Sequence, residues 1–315
     1  MEAKKKYKLT NETIKIDGIT LYRIRAIKSF SNVNEGDLGG WIEKEKNLSQ
    51  IGNAWVYDNA KVYGYARVFG NAKVYNNVKV SDDAQVFGNA EIFGNAQVSD
   101  NAVAFGEPKI YGDAHIYGDA KVYGDAQVCD NAKVYGNAKV CGSAKVCGDT
   151  KVCDNAEVCG NVYIYGSAEV YGHAKVYDNA IVYGKAQVYD YARVFDFALV
   201  CGSAEIYGNA EVYDNAKIFG DAKVEGNAIV HGDAVIRGNA IICGKADYII
   251  LKKNCSNERY FTWTRSNNMW SVGCFYGTGK ELIEKAYRDS EKSGKEYEKI
   301  VRYADSILAG DKIVI

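Results

Sequence analysis

The side chains of this 315-residue chain best suited to chemistry are three histidines, nine cysteines and an Arg/Trp/Tyr-rich stretch near the C-terminus. A histidine could act as a general base in acyl transfer, but His115, His173 and His231 stand 58 residues apart in sequence. They cannot share one site within a chain of short, regular elements. Cys129, Cys141, Cys147, Cys153, Cys159, Cys201 and Cys243 recur at multiples of six residues, with Cys255 and Cys274 outside the series. Zinc-finger pairs sit closer together than that, so the spacing does not suit a metal. Gly277-Thr-Gly-Lys280 has the end of a phosphate loop, yet Glu281 replaces the hydroxyl residue and the earlier glycine is missing. No Ser-His-Asp set or carboxylate pair can be argued, and no catalytic residue, metal ligand or cofactor is assigned. The stretch with Arg259, Tyr260, Trp263, Arg265, Asn267, Asn268, Trp270 and Tyr276 has the chemistry of interface hot spots. It could equally stack on a nucleotide or form the core of a small domain.

These residues are positioned by a repeat. From Ala54 the chain reads in sixes, Ala-Trp-Val-Tyr-Asp-Asn, Ala-Lys-Val-Tyr-Gly-Tyr, and the phase survives without insertion to Ala246. The aliphatic slot runs from Val56 to Ile242, with Ala two places earlier. Ala and Val share one side of an extended segment, while Lys, Glu or Gln and Tyr, Phe or Cys share the other. A helix is excluded, because a period of six would scatter the Val slots around its cylinder. Gly or Asp followed by Asn, Asp or Ser makes the corner, since these residues tolerate positive φ. Three hexads close one triangular turn of 18 residues, giving about eleven coils stacked at ~4.8 Å. Each buried Val should contribute ~1.5–3 kcal/mol.

The Val62-to-Ala66 and Val134-to-Ala138 spacing, repeated over roughly residues 48 to 246, resembles the hexapeptide-repeat left-handed β-helix proteins. The resemblance implies the handedness. It departs from that family in placing an aromatic residue or Cys directly after the aliphatic one. The flanking segments, Leu21-Tyr-Arg-Ile-Arg-Ala, Gly36-Asp-Leu-Gly-Gly-Trp-Ile and Arg259-Tyr-Phe-Thr-Trp-Thr, resemble those of phage- and prophage-encoded β-helix proteins of the polymer-forming or transferase-like kind. That likeness implies a viral or mobile-element origin and carries no residue-level mechanism. Acyltransferases of the hexapeptide class use a histidine near a subunit junction, which here would fall to His173.

The expected fold is therefore an all-β solenoid, a left-handed triangular β-helix over residues 48–246. An N-terminal β cap over 1–47 precedes it, and a small α+β C-terminal module over 247–315 follows. The cap reads as a hairpin about Asp17-Gly18, covering strand edges that would otherwise aggregate. In the module, strands flank Asn267-Asn268, and two helices follow. Thr278 and Glu281 cap the first. Ser293-Gly294 is expected to divide them, and Gly310 to end the second. Pro108 is expected to pinch the solenoid locally.

Residues 18 apart should form vertical columns. Aromatic neighbours there staple coils together, and Cys serves as a small apolar substitute for Tyr in a reducing compartment. Cys129 over Cys147 and Cys141 over Cys159 should suit disulfides poorly, because stacked side chains point the same way. One column replaces its usual Lys by Tyr163, Ile181 and Leu199, beside Tyr165, Tyr183 and the corner residue Phe197. Such an apolar patch is expected to meet a second copy of the chain or another protein, unless the C-terminal segment folds over it. Ile229, Val235 and Ile241 should mark where the C-terminal module packs. Residues 1–47 and 251–315 each carry three surplus positive charges and the segment between them seven surplus negative ones. This balance argues against nucleic acid as a partner. No apolar run suits a membrane span or signal peptide, so a cytoplasmic place is expected. The leading expectation is a non-enzymatic scaffold that recognises a protein, which the resemblance to phage-encoded proteins extends to an inhibitor of a host defence protein. The alternatives are an oligomer binding a small nucleotide and, third, an acyltransferase.

Overall fold

The computed structural model describes residues 5–253 and 259–308. The chain is a β-solenoid of about eleven coils of roughly 18 residues, with an N-terminal antiparallel hairpin and a small C-terminal module of sheet and helices. It divides into two compact units, Met1–Gly184 and Lys185–Ile315.

The first unit opens with strands Tyr7–Ile16 and Ile19–Ala26, joined at Asp17 (φ 48°) and Gly18 (φ 82°). The third strand, Leu38–Ile42, runs parallel to the first-coil strand Lys61–Val62, with Trp41 opposite Lys61. From there each hexad contributes a short strand, and partners stand 18 apart, as in Lys61 with Lys79 and Gln97 with His115. Inward Ala and Val are essentially fully buried, which supplies the core that no isolated hexad could form.

The corners explain the acidic columns. Asp58, Asp100 and Asp130 adopt positive φ. Each carboxylate accepts the amide of the corner residue one coil on, Asn76 at 3.0 Å, Gly118 at 2.9 Å and Gly148 at 3.0 Å. Asp is thus both a turn former and a rung between coils. The neighbouring Asn column does the same laterally, Asn53 to Asn71 at 3.1 Å and Asn71 to Asn89 at 3.0 Å.

Pro108 does not pinch the solenoid: Val103–Gly106 stays in register with Lys121–Gly124, and Lys109 stays opposite Gln127. The reason is that in this slot the amide bonds within its own turn, as Ala60 does to Tyr57. Pro108 therefore removes no inter-coil bond, and its carbonyl still accepts from Glu91 at 2.9 Å.

The second unit continues the hexads to Ile241–Ile242, then forms a four-stranded antiparallel sheet from Tyr248–Lys253, Arg259–Thr264, Met269–Val272 and Phe275–Gly277. Helices Gly279–Asp289 and Glu291–Leu308 cover it. Thr278 and Glu281 form the capping box. The helix break falls at Ser290, not at Ser293-Gly294. Ser290 is extended, and its hydroxyl accepts the Ser293 amide at 3.0 Å, capping the second helix. Gly294 lies inside that helix because a Cβ there would stand 2.3 Å from the Tyr287 ring. Gly310 lies outside the described residues.

Candidate partner-binding face

In the first unit, one outward column runs Lys73, Glu91, Lys109, Gln127, Lys145, Tyr163, Ile181, each paired in register with the next. Its early part holds an ion pair, with Lys73 Nζ 3.0 Å from Glu91 Oε1. At Tyr163 the charge stops. Lys145 lays its ammonium over the Tyr163 ring at 5.3 Å, and Ile181 follows as a half-buried aliphatic residue. Beside them Tyr165 and Tyr183 stack at 4.8 Å with 6° between planes. Tyr163 and Tyr165 each remain 43% exposed, a large area for rings amid charged neighbours.

In the second unit Leu199 is half-buried and pairs with Lys217, and Phe197 at the corner is 65% exposed. Sequence reasoning missed Tyr191, a corner residue 60% exposed. Its signal was available, since most corners hold Asn, Asp or Ser.

Rings of another column are occupied by each other. Phe69, Phe87, Phe105 and Tyr123 stack at 4.6, 5.3 and 4.9 Å with nearly parallel planes. Their faces cover one another, which ties coils together and leaves little ring surface for a nucleotide base. A concavity of about 810 Å³ opens in the first unit beside Lys44, Tyr65, Arg67 and Phe69. There too the chain's own cations overlie the rings, Lys44 at 4.7 Å from the Tyr65 centroid and Arg67 at 5.4 Å from that of Phe69.

The C-terminal candidates are used for packing and docking. Trp263 and Trp270 face each other across a strand pair and lie in the core with Phe261, Leu282 and Val301, only 4% and 2% exposed. Of the readings the sequence leaves open, these two rings take that of a small domain's core. Asn268 takes the turn at φ 49° and accepts the Trp263 indole N–H at 2.8 Å. Arg259 donates to the Tyr297 hydroxyl at 2.9 Å, and Tyr260 lies under Lys252. Arg265 donates to the Ala246 carbonyl at 3.1 Å. Asn267 donates to the Tyr276 hydroxyl, which itself donates to the Arg237 carbonyl, both at 3.1 Å. The sheet thereby closes the last coils: Thr262 Oγ1 accepts from the Val235 amide, Ser266 Oγ from the Ile241 amide, and the Tyr248 hydroxyl donates to the Ile229 carbonyl.

His115 sits in a strand, where desolvation and then Lys133 hold its pKa below the usual histidine value. His173 is an exposed corner residue. His231 stacks on Tyr213 at 5.4 Å, and its Nδ1 is 3.8 Å from Asp214 Oδ2. The cysteine expectation is corrected. Cys129–Cys147 and Cys141–Cys159 are disulfides, with Cα separations of 4.7 and 4.6 Å. The coil spacing alone brings the pairs inside the range a disulfide spans. Parallel side chains then need only turn toward each other.

Comparison with known proteins agrees with this architecture. The YdcK β-solenoid repeat model matches residues 174–190. A 62-residue stretch is 40% identical to the uncharacterized acetyltransferase YdcK of Escherichia coli (strain K12), covering 17% of this chain and 19% of that protein. The chain thus spans about a fifth of the length of the curated relative it matches. Among the described residues no helix is long and apolar enough to cross a membrane. With its six-residue period, its stacked parallel coils and the repeat match, this chain is a hexapeptide-repeat-like β-helix protein.

Proposed function

We propose that this protein is a non-catalytic scaffold whose solenoid face at Tyr163, Tyr165, Ile181 and Tyr183 binds a protein. The observation that carries the reading is the change within a single column, from the Lys73–Glu91 ion pair to Tyr163 opposite Ile181, with Tyr163 and Tyr165 43% exposed. A solvated face gains nothing from that exchange, whereas aromatic and aliphatic groups at a protein interface supply most of its binding energy. Phe197 and Leu199 of the second unit are further candidate contacts. The resemblance to phage-encoded proteins makes a host protein, including a defence protein, the first class of partner to examine beyond a second copy of the chain.

Tyr163→Lys with Ile181→Lys should abolish recovery of the partner, or reduce the oligomer mass by light scattering, with the circular dichroism spectrum unchanged. If capture and mass both match the wild type, the face is not the interface.

A second reading is acyl transfer, supported by the name of the relative and by the His231–Asp214 pair. There His231 would take a proton from an acceptor hydroxyl or amine while Asp214 steadies the imidazole. Turnover of an acyl-CoA donor that is lost in His231→Ala would favour this reading, and loss in His173→Ala would favour the other histidine. Turnover retained in both variants would remove it.

A further inference from the structure

One inter-coil step differs from the rest. The outward slot after the aliphatic residue is usually aromatic, but between residues 129 and 159 it reads Cys129, Tyr135, Cys141, Cys147, Cys153, Cys159. Stacked eighteen apart, these six make three pairs on the three faces of the same step. Two are the disulfides Cys129–Cys147 and Cys141–Cys159, and the third is Tyr135 beside Cys153. The flanking stacks Phe105 on Tyr123 and Tyr165 on Tyr183 are aromatic. At this step covalent links therefore replace ring stacking on two faces.

Each pair is asymmetric. Cys129 and Cys141, on the earlier coil, are buried at 4% and 7% exposure, while Cys147 and Cys159 are half-buried. We propose that the two pairs are a thiol–disulfide exchange site for a low-molecular-weight disulfide, RSSR, and that their oxidation state sets the strength of this one step. The outer thiolate, Cys147 or Cys159, attacks RSSR, forming a mixed disulfide and releasing RS⁻. The buried thiolate of Cys129 or Cys141 then attacks the protein sulfur of that mixed disulfide, closing the inter-coil bond and releasing the second RS⁻. The protein pair loses two electrons and two protons, and RSSR becomes two RSH. Cys153 stays outside the exchange. It is buried, desolvation raises its thiol pKa, and it has the Tyr135 hydroxyl as its partner rather than a second sulfur.

The test is to reduce the full chain, expose it to oxidised glutathione, alkylate, and map peptides by mass spectrometry. Four of the nine cysteines should be recovered as the pairs 129/147 and 141/159, with the other five alkylated. In Cys129→Ala the glutathione adduct should accumulate on Cys147, because the resolving thiol is gone. Reductant should lower the melting temperature of the oxidised wild type by several °C but leave Cys129→Ala/Cys141→Ala unmoved. Cys147→Ser/Cys159→Ser serves if the alanine variant does not fold. All nine thiols alkylated after oxidant, or equal adduct on Cys147 in wild type and Cys129→Ala, would overturn the proposal. Protection that requires zinc and no oxidant would overturn it too, since the Cys129, Asp130 and Cys147 ligand atoms lie within 4.8 Å of one another.

Discussion

The two ends of the solenoid present opposite surpluses of backbone groups. Outside the short strands, backbone inter-coil bonds run from an amide to a carbonyl of the following coil, as from Asn59 to Asn76 and from Asn215 to Gly232, both at 3.0 Å. The first coil is left with a surplus of carbonyls and the last with a surplus of amides. The N-terminal cap accordingly brings donors. Lys6 Nζ reaches the Ala54 carbonyl at 2.6 Å and that of Gly52 at 3.3 Å. Asn47 Nδ2 reaches Ala66 at 2.9 Å, and the Tyr7 hydroxyl reaches Leu48 at 2.7 Å. The C-terminal segment brings acceptors to amides, Thr262 Oγ1 for Val235, Ser266 Oγ for Ile241 and Asp247 Oδ2 for Cys243 and Gly244, alongside donors such as the Tyr248 hydroxyl to the Ile229 carbonyl. Lys6, Asn47 and Thr262 are each 1% exposed, whereas the Ser266 bond is at the surface. A stacked-coil protein loses stability locally when an end opens, so each end can be tested separately.

The largest effect should come from Asn47→Ala, which leaves the Ala66 carbonyl and the Lys44 amide without their partner. A loss of about 2–3 kcal/mol in local unfolding of the first coils is expected from hydrogen exchange. Asn47→Asp should be no better, because a carboxylate puts acceptors against carbonyls; a rescue by Asp would contradict the donor argument. Next is pH. Desolvation, followed by Lys28, lowers the Lys6 pKa from 10.5 to about 8. Between those values the unfolded chain binds the proton more tightly than the folded one, so stability rises as pH climbs from about 8 to 10.5. The neutral amine still donates to Ala54. Relative to Lys6→Met, the wild-type urea midpoint for proteolysis of the N-terminal segment should climb across that window; parallel curves would remove Lys6 as the cause. The smallest effect is at the other end, where Thr262→Val should cost about 1–2 kcal/mol by orphaning the Val235 amide, and Thr262→Ser almost nothing. A loss in Thr262→Ser as large as in Thr262→Val would assign the effect to packing.

Much of this was legible in the chain. Ala and Val two apart in a six-residue phase define an inside, and Asp17-Gly18 defines a hairpin turn. The apolar break at Tyr163 and Ile181 was visible as a departure from a charged slot. Other features were hidden because they depend on where a group points in three dimensions. Pro108 looked disruptive until its missing amide proved to belong to the corner rather than the ladder. Trp263 and Trp270 read equally as recognition or as core residues, and only the helices packed over the sheet make them core. Gly294 looked like a helix break, whereas it makes room for Tyr287.

Period, inward face and corner chemistry follow from residue order alone, because each depends on neighbours within one hexad and on a strict count of six. Cysteine pairing, the way each end is closed and the fate of the C-terminal aromatics were decided by the folded chain. They depend on distances between residues far apart in sequence, and those distances exist only once coils have stacked and the terminal segments have closed over them.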